Sequence, residues 1–196
     1  MTRQVLVAAV LWLTGSMLAA GAWAAPPATQ ETVMAALAAV KQSRVRFVEQ
    51  RDSRILESTL TVTGTLTYRA PAHIEKHSLR PLDERFVADG DTLLLERRQA
   101  GKTFARSLQL SEFPALAPLL AGLRGVLSGD AALLARHFTV EFMPLWNGWR
   151  LRLTPKDARA RAQVESIRFE GEGARVRLIE TREAGGDVSR MRLFPL

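Results

Sequence analysis

His73, Glu75 and His77 lie two residues apart, so an extended backbone would place all three on one face, a spacing a metal ion could use. Two ligands on one strand rarely hold a metal without further partners. A solvent-facing polar edge is the commoner origin of such a stripe, and no metal is expected. Asp89 and Asp91 flank Gly90 in V-A-D-G-D. Paired carboxylates can exchange protons, but Asp-Gly between strands is ordinary turn chemistry. Trp146 and Trp149 could form a binding platform, although aromatics beside a hairpin more often pack across the strands. His137 completes the histidines, and none of the three stands beside a recognisable nucleophile elbow. No G-x-S-x-G, H-E-x-x-H, phosphate-loop or dinucleotide signature occurs. The expectation is a protein without catalysis, catalytic residues or cofactor.

The 196-residue chain contains no Cys. That excludes disulfide staples, thiolate metal sites, a cysteine nucleophile and lipidation at a signal-peptide cysteine. Its first residues have the layout of a secretion signal: Arg3, the apolar run Val5–Leu13, then Ala22-Trp23-Ala24 as a small-x-small cleavage site. Residues 1–24 are expected to be a cleaved signal peptide and 25–196 a single domain with its own core. The formal net charge is +7, and most of the basic groups are Arg interleaved with Asp and Glu. A mixed, solvated surface is expected, with steering towards anionic lipid as the alternative. An exported chain does not meet nucleic acid, so none is expected as partner.

The elements follow from periodicity. Thr29–Lys41 reads as a helix, with Val33, Met34, Leu37 and Val40 at helical spacing behind a start signal at Thr29. Strand-like runs follow over Arg44–Arg51, Leu56–Arg69, Ile74–Leu79, Arg85–Ala88, Thr92–Arg97 and Thr103–Leu110, as in an antiparallel meander. In the second run, Thr59, Thr61, Thr63, Thr65 and Thr67 alternate with Leu60, Val62, Gly64, Leu66 and Tyr68. One face is therefore wet and the other covers something apolar. Phe113–Leu127 is apolar nearly all round and interrupted by Pro114, Pro118, Gly122 and Gly125, so it must be buried or must cover something. It can seal a core or act as a movable lid. A short helix at Asp130–Arg136 precedes strands at Phe138–Phe142, Trp149–Leu153, Val164–Glu170, Arg175–Thr181 and Val188–Phe194. Asn147-Gly148 is expected to form the first hairpin turn of this half. About ten strands and two or three helices in one α+β domain are expected.

Several marks in fixed order resemble the LolA family, the periplasmic carriers of outer-membrane lipoproteins. They are Phe47-x-x-Gln50 after the first helix, Gly64-Thr65-Leu66-x-Tyr68, Pro71, and Phe86-Val87-Ala88-Asp89-Gly90-Asp91-Thr92-Leu93. The resemblance is clear over Val45–Leu95. It implies an open half-barrel formed by one curved antiparallel sheet, its concave face covered by helices, with acyl chains bound between them. On that reading Phe47, Leu60, Val62, Leu66, Tyr68, Ile74 and Phe86 look inward, and Phe113, Leu116, Leu119, Leu120 and Leu123 belong to the lid. The chain departs from the pattern in two places. Ala70 stands where the family has Arg before the proline, and Ile74 and Lys76 stand where it favours an aromatic pair. The resemblance therefore implies a divergent paralogue handling another lipid or acyl-linked product. It implies a monomeric periplasmic carrier with transient inner- and outer-membrane protein partners. The alternative is a lipid-free sensor or scaffold that binds a protein through the same fold.

Overall fold

The computed structural model describes residues 28–54, 58–112 and 116–196. The expected signal peptide and Phe113 lie outside them. Helix α1 (Gln30–Ala39) begins at Thr29, whose hydroxyl accepts from the Thr32 N–H at 3.2 Å while the Thr32 hydroxyl accepts from the Thr29 N–H at 3.0 Å. This reciprocal cap satisfies donors that an α-helix leaves open at its start. Strands β1 (Gln42–Asp52), β2 (Thr59–Arg69), β3 (His73–Arg80), β4 (Asp83–Asp89), β5 (Thr92–Gln99) and β6 (Lys102–Gln109) then run as an antiparallel meander. After a 3₁₀ turn come α2 (Leu116–Leu127) and α3 (Ala131–His137), the latter capped by Asp130, which accepts from the Leu133 N–H at 2.8 Å. Strands β7 (Phe138–Leu145) and β8 (Gly148–Pro155), the single-turn α4 (Ala158–Arg161), and β9 (Val164–Glu172), β10 (Arg175–Glu183) and β11 (Val188–Pro195) complete the chain.

All eleven strands form one sheet in the order β6-β5-β4-β3-β2-β1-β11-β10-β9-β8-β7. Two meanders are thus joined where the first strand pairs with the last. The free edges are β6 and β7, which are consecutive in the chain, so their connection must traverse the sheet. That topology is why α2 and α3 lie against the inner face. The architecture is the expected α+β open half-barrel, with eleven strands and, among the described residues, four α-helices. The extra helix, α4, is one turn long and capped by Asp157. So short an element carries no hydrophobic period to read.

The threonine-striped strand behaves as its alternation requires. Val62, Gly64, Leu66 and Tyr68 are buried, and the threonines are half-buried or exposed. The β7–β8 hairpin differs from expectation. Leu145 pairs with Gly148, so its two turn residues are Trp146 and Asn147, and Gly148 already belongs to β8. Gly148 has φ +140°, and a Cβ there would sit 2.0 Å from the Gly171 carbonyl oxygen. The glycine is needed for the approach of β9 rather than for the turn.

Candidate functional site

Two apolar clusters lie between sheet and helices. The larger joins Phe47, Val62, Leu66, Tyr68 and Ile74 to the inner faces of β8 and β9, with Leu119 and Leu123 of α2 packed half-buried against it. The smaller contains Ala88, Leu93, Leu108 and Leu120, flanked by Phe86 and Leu116. Helix α2 therefore closes over both. Leu60 does not join them. It shares the strand face of Val62 but is 45% exposed, at the end of β2 remote from Tyr68.

Helix α2 tolerates its breakers for separate reasons. Pro118 occupies the third helical position, where an N–H has no intrahelical acceptor to lose. Gly122 and Gly125 are contact surfaces: a Cβ at Gly125 would stand 2.5 Å from Leu134 Cδ2, and one at Gly122 would stand 3.2 Å from both Ile167 and Leu153. The helix's one charge, Arg124, donates to the Gly90 carbonyl in the β4–β5 turn. Burial lowers the Arg124 pKa, and the charges of Asp91 and Asp89 oppose that shift. The Asp-Gly-Asp turn thus adds a polar fastening of α2 to the first meander beside the apolar packing of Leu116 and Leu120.

An ionic group also faces inward. Glu49, 3% exposed, accepts from Lys76 Nζ, from Arg51 Nε at 2.9 Å and from the Ser189 hydroxyl at 2.7 Å. Lys76 Nζ also lies 5.1 Å from the centre of the Phe47 ring. Burial pushes the Glu49 pKa up, but the Lys76 and Arg51 charges and hydrogen bonds outweigh it and hold the carboxyl at about 2. Lys76 moves the other way from what pairing alone would give. Burial lowers its pKa more than Glu49 raises it, and Arg51 adds repulsion. The carboxylate collects three donors, whereas the ammonium has one bonded carboxylate, Glu49, and only a weaker attraction from Glu84, so both directions are physically consistent. Glu49, two strands from Lys76 on the same inner face, is what makes the cation tolerable there.

Beside the larger cluster is a cavity of about 720 Å³. Among the described residues, Leu66 and Tyr68 are the only ones of the expected lining that border it. The Tyr68 hydroxyl is buried and finds no hydrogen-bond partner among the described residues, and burial raises its pKa. The remaining wall comes from Leu37 and Val40 of α1, Leu127 at the end of α2, and Val45, Val176 and Leu193 of the sheet. The apolar periods of α1 and β11 mark such positions as inward. Nothing in a single strand's sequence marks them as unfilled space. A second cavity of about 490 Å³ is bordered by Arg124, Pro118 and Phe138.

The polar constellations resolve separately. His73 Nδ1 is 3.2 Å from Asp89, His77 Nε2 is 2.8 Å from Asp83, and Glu75 accepts from Arg85 at 2.9 Å. Each member of the stripe has its own partner, and no cluster of three or more potential metal ligands occurs among the described residues. The two tryptophans do not pack together. Trp149 is buried and donates to the Gly173 carbonyl at 2.9 Å, whereas Trp146 is 98% exposed at the hairpin tip.

No curated protein sequence matches the chain. Among solved structures it is similar to a LolA superfamily protein from Nitrosomonas europaea, at 9% identity, covering 85% of this chain and 91% of that one with a TM-score of 0.40. It is also similar to a DUF1329 family protein from Desulfovibrio piger, at 9% identity over 84% of this chain and 88% of that one, TM-score 0.34. The sequence profile described as "Outer membrane lipoprotein carrier protein LolA-like" matches residues 22–194. With that match extending over nearly the whole chain, the protein belongs to the LolA-like family of outer membrane lipoprotein carrier proteins.

Proposed function

We propose that this protein is a periplasmic carrier that holds an acyl chain of a lipid, lipoprotein or lipid-linked intermediate and passes it between membrane partners without chemistry of its own. The observation that carries this reading is the apolar cavity of about 720 Å³ that adjoins the core closed by α2. A hydrocarbon chain displacing water from such walls gains roughly 25 cal/mol per Å² of apolar surface. Movement of α2 from the inner face enlarges the space, and a partner that binds the opened form better drives release. The test is native mass spectrometry of protein purified from its own periplasm. Co-purifying acyl species are expected. A ligand-free mass, together with a protein captured in a pull-down, replaces the carrier with a lipid-free scaffold.

A further inference from the structure

Strand β10 pairs with β9 from Arg175 to Glu183, and β11 pairs with β1 from Pro195 back to Val188. Between β10 and β11, however, the ladder runs only from Leu178–Arg192 to Arg182–Val188. Residues 175–177 and 193–195 therefore diverge, and all six border the cavity of about 720 Å³. The cavity's mouth includes this split in the sheet. Its inner wall is apolar, formed by such residues as Leu37, Leu66 and Leu127, and its rim is basic.

Arg175, Arg177 and Arg192 stand around the cavity with one acid, Glu170. That acid is already engaged, by Arg150 at 2.8 Å and Arg168 at 3.5 Å, and Arg177 is engaged by Glu172. Arg175 and Arg192 have no carboxylate partner among the described residues. Within the wall, Tyr68 is 2% exposed and its hydroxyl has no hydrogen-bond partner among the described residues. An apolar pocket with unneutralised cations at its mouth and an unused donor inside matches an amphiphile with an anionic head and a carbonyl-linked tail. The volume falls within the range of about 300–1,000 Å³ of single small-ligand sites.

We infer that the cavity takes one acyl chain of an anionic single-chain lipid, tail inward through the β10–β11 split and head at Arg175 and Arg192. This rests on the carrier reading and specifies its ligand and portal. The experiment is calorimetric titration of the full mature chain, below the micellar concentration, with palmitoyl-lysophosphatidylglycerol, the zwitterionic palmitoyl-lysophosphatidylcholine, and glycerol phosphate. The anionic lipid is expected to bind at least about tenfold more tightly than the zwitterionic one, and glycerol phosphate at least about tenfold more weakly than the anionic lipid. The variant Arg175→Gln/Arg192→Gln changes only exposed side chains. It should retain the wild-type circular dichroism and zwitterionic-lipid affinity while losing the preference. Equal affinities in the wild type, or a preference that survives in the double variant, overturn the inference and leave the carrier reading standing. Failure of both lipids to bind also overturns the inference, while the carrier reading is decided separately by the acyl species that co-purify with the protein. Glycerol phosphate binding as tightly as the anionic lipid overturns the acyl part.

Discussion

Glu49 concentrates the cost of placing charge on an apolar inner face. Three donors converge on its oxygens from β1, β3 and β11, so its removal strands Lys76, whose side chain is 19% exposed. Glu49→Gln is expected to cost about 3 kcal/mol, the low end for breaking a buried pair. Glu49→Gln combined with Lys76→Met should return to within about 1 kcal/mol of wild type, because removing both charges leaves no orphan. Urea midpoints at constant slope measure both, and an additive double variant would show that the two side chains are not coupled. The pH dependence has a definite sign. The carboxyl sits at about 2 in the folded state against an ordinary value of 4.5. Its contribution is complete above pH 4.5 and disappears as the pH falls from there towards 2. Glu49→Gln should lack that part of the acid-induced loss. The sequence shows Glu49 sharing a strand face with Val45 and Phe47. What it hides is the partner: the Glu49–Lys76 contact spans β2, and depends on two ladder registers at once.

On the proposed carrier reading, helix α2 is the element on which function turns, and it is held by unlike contacts at its two sides. Gly122 and Gly125 bring its backbone against Ile167, Leu153 and Leu134, whereas Arg124 reaches the Gly90 carbonyl on the other side. Both sides carry apolar packing, with Leu116 and Leu120 against Ala88, Leu93 and Leu108 on the first-meander side, and there Arg124 adds a hydrogen bond that the other side lacks. Opening on the β4–β5 side therefore breaks that bond as well as uncovering the smaller cluster. Arg124→Met keeps the stem's apolar cover and removes the bond. It should weaken the closed form by about 1.5 kcal/mol, or about tenfold in the opening equilibrium. Hydrogen exchange read by mass spectrometry should show α2 amides losing that protection while β8 and β9 keep theirs. Uniform change across all three would mean that α2 opens only with the whole domain. From sequence, Phe113–Leu127 is legible as a covering segment because it has no polar face. Its glycines resemble breakers there, because a helix's own sequence contains no trace of the neighbour that needs the room.

At the scale of the molecule, the decisive contact joins the chain's first strand to its last. Alternation and turn residues identify the two meanders, since each pairs neighbours in sequence. No local signal announces that β11 inserts beside β1, or that β10 separates from it near Leu193. These are long-range ladders, and they determine both the half-barrel and the mouth of its cavity. Strand β11 matches β1 over eight residue pairs and β10 over five, and places Leu193 in the larger core cluster. Deleting residues 188–196 strips both ladders, turns β1 and β10 into free edges, and uncovers apolar surface beside Phe47. Several such losses, each of about 1–3 kcal/mol, together match or exceed the 5–15 kcal/mol by which domains are stable. The truncated chain should therefore lose cooperative thermal unfolding, bind anilinonaphthalene sulfonate and aggregate. If it instead melts in one transition at the wild-type midpoint, the β11 ladders to β1 and β10 contribute little to the stability of the domain. The remaining ten strands and their helices would then hold together as one cooperative unit through contacts other than the first-to-last pairing.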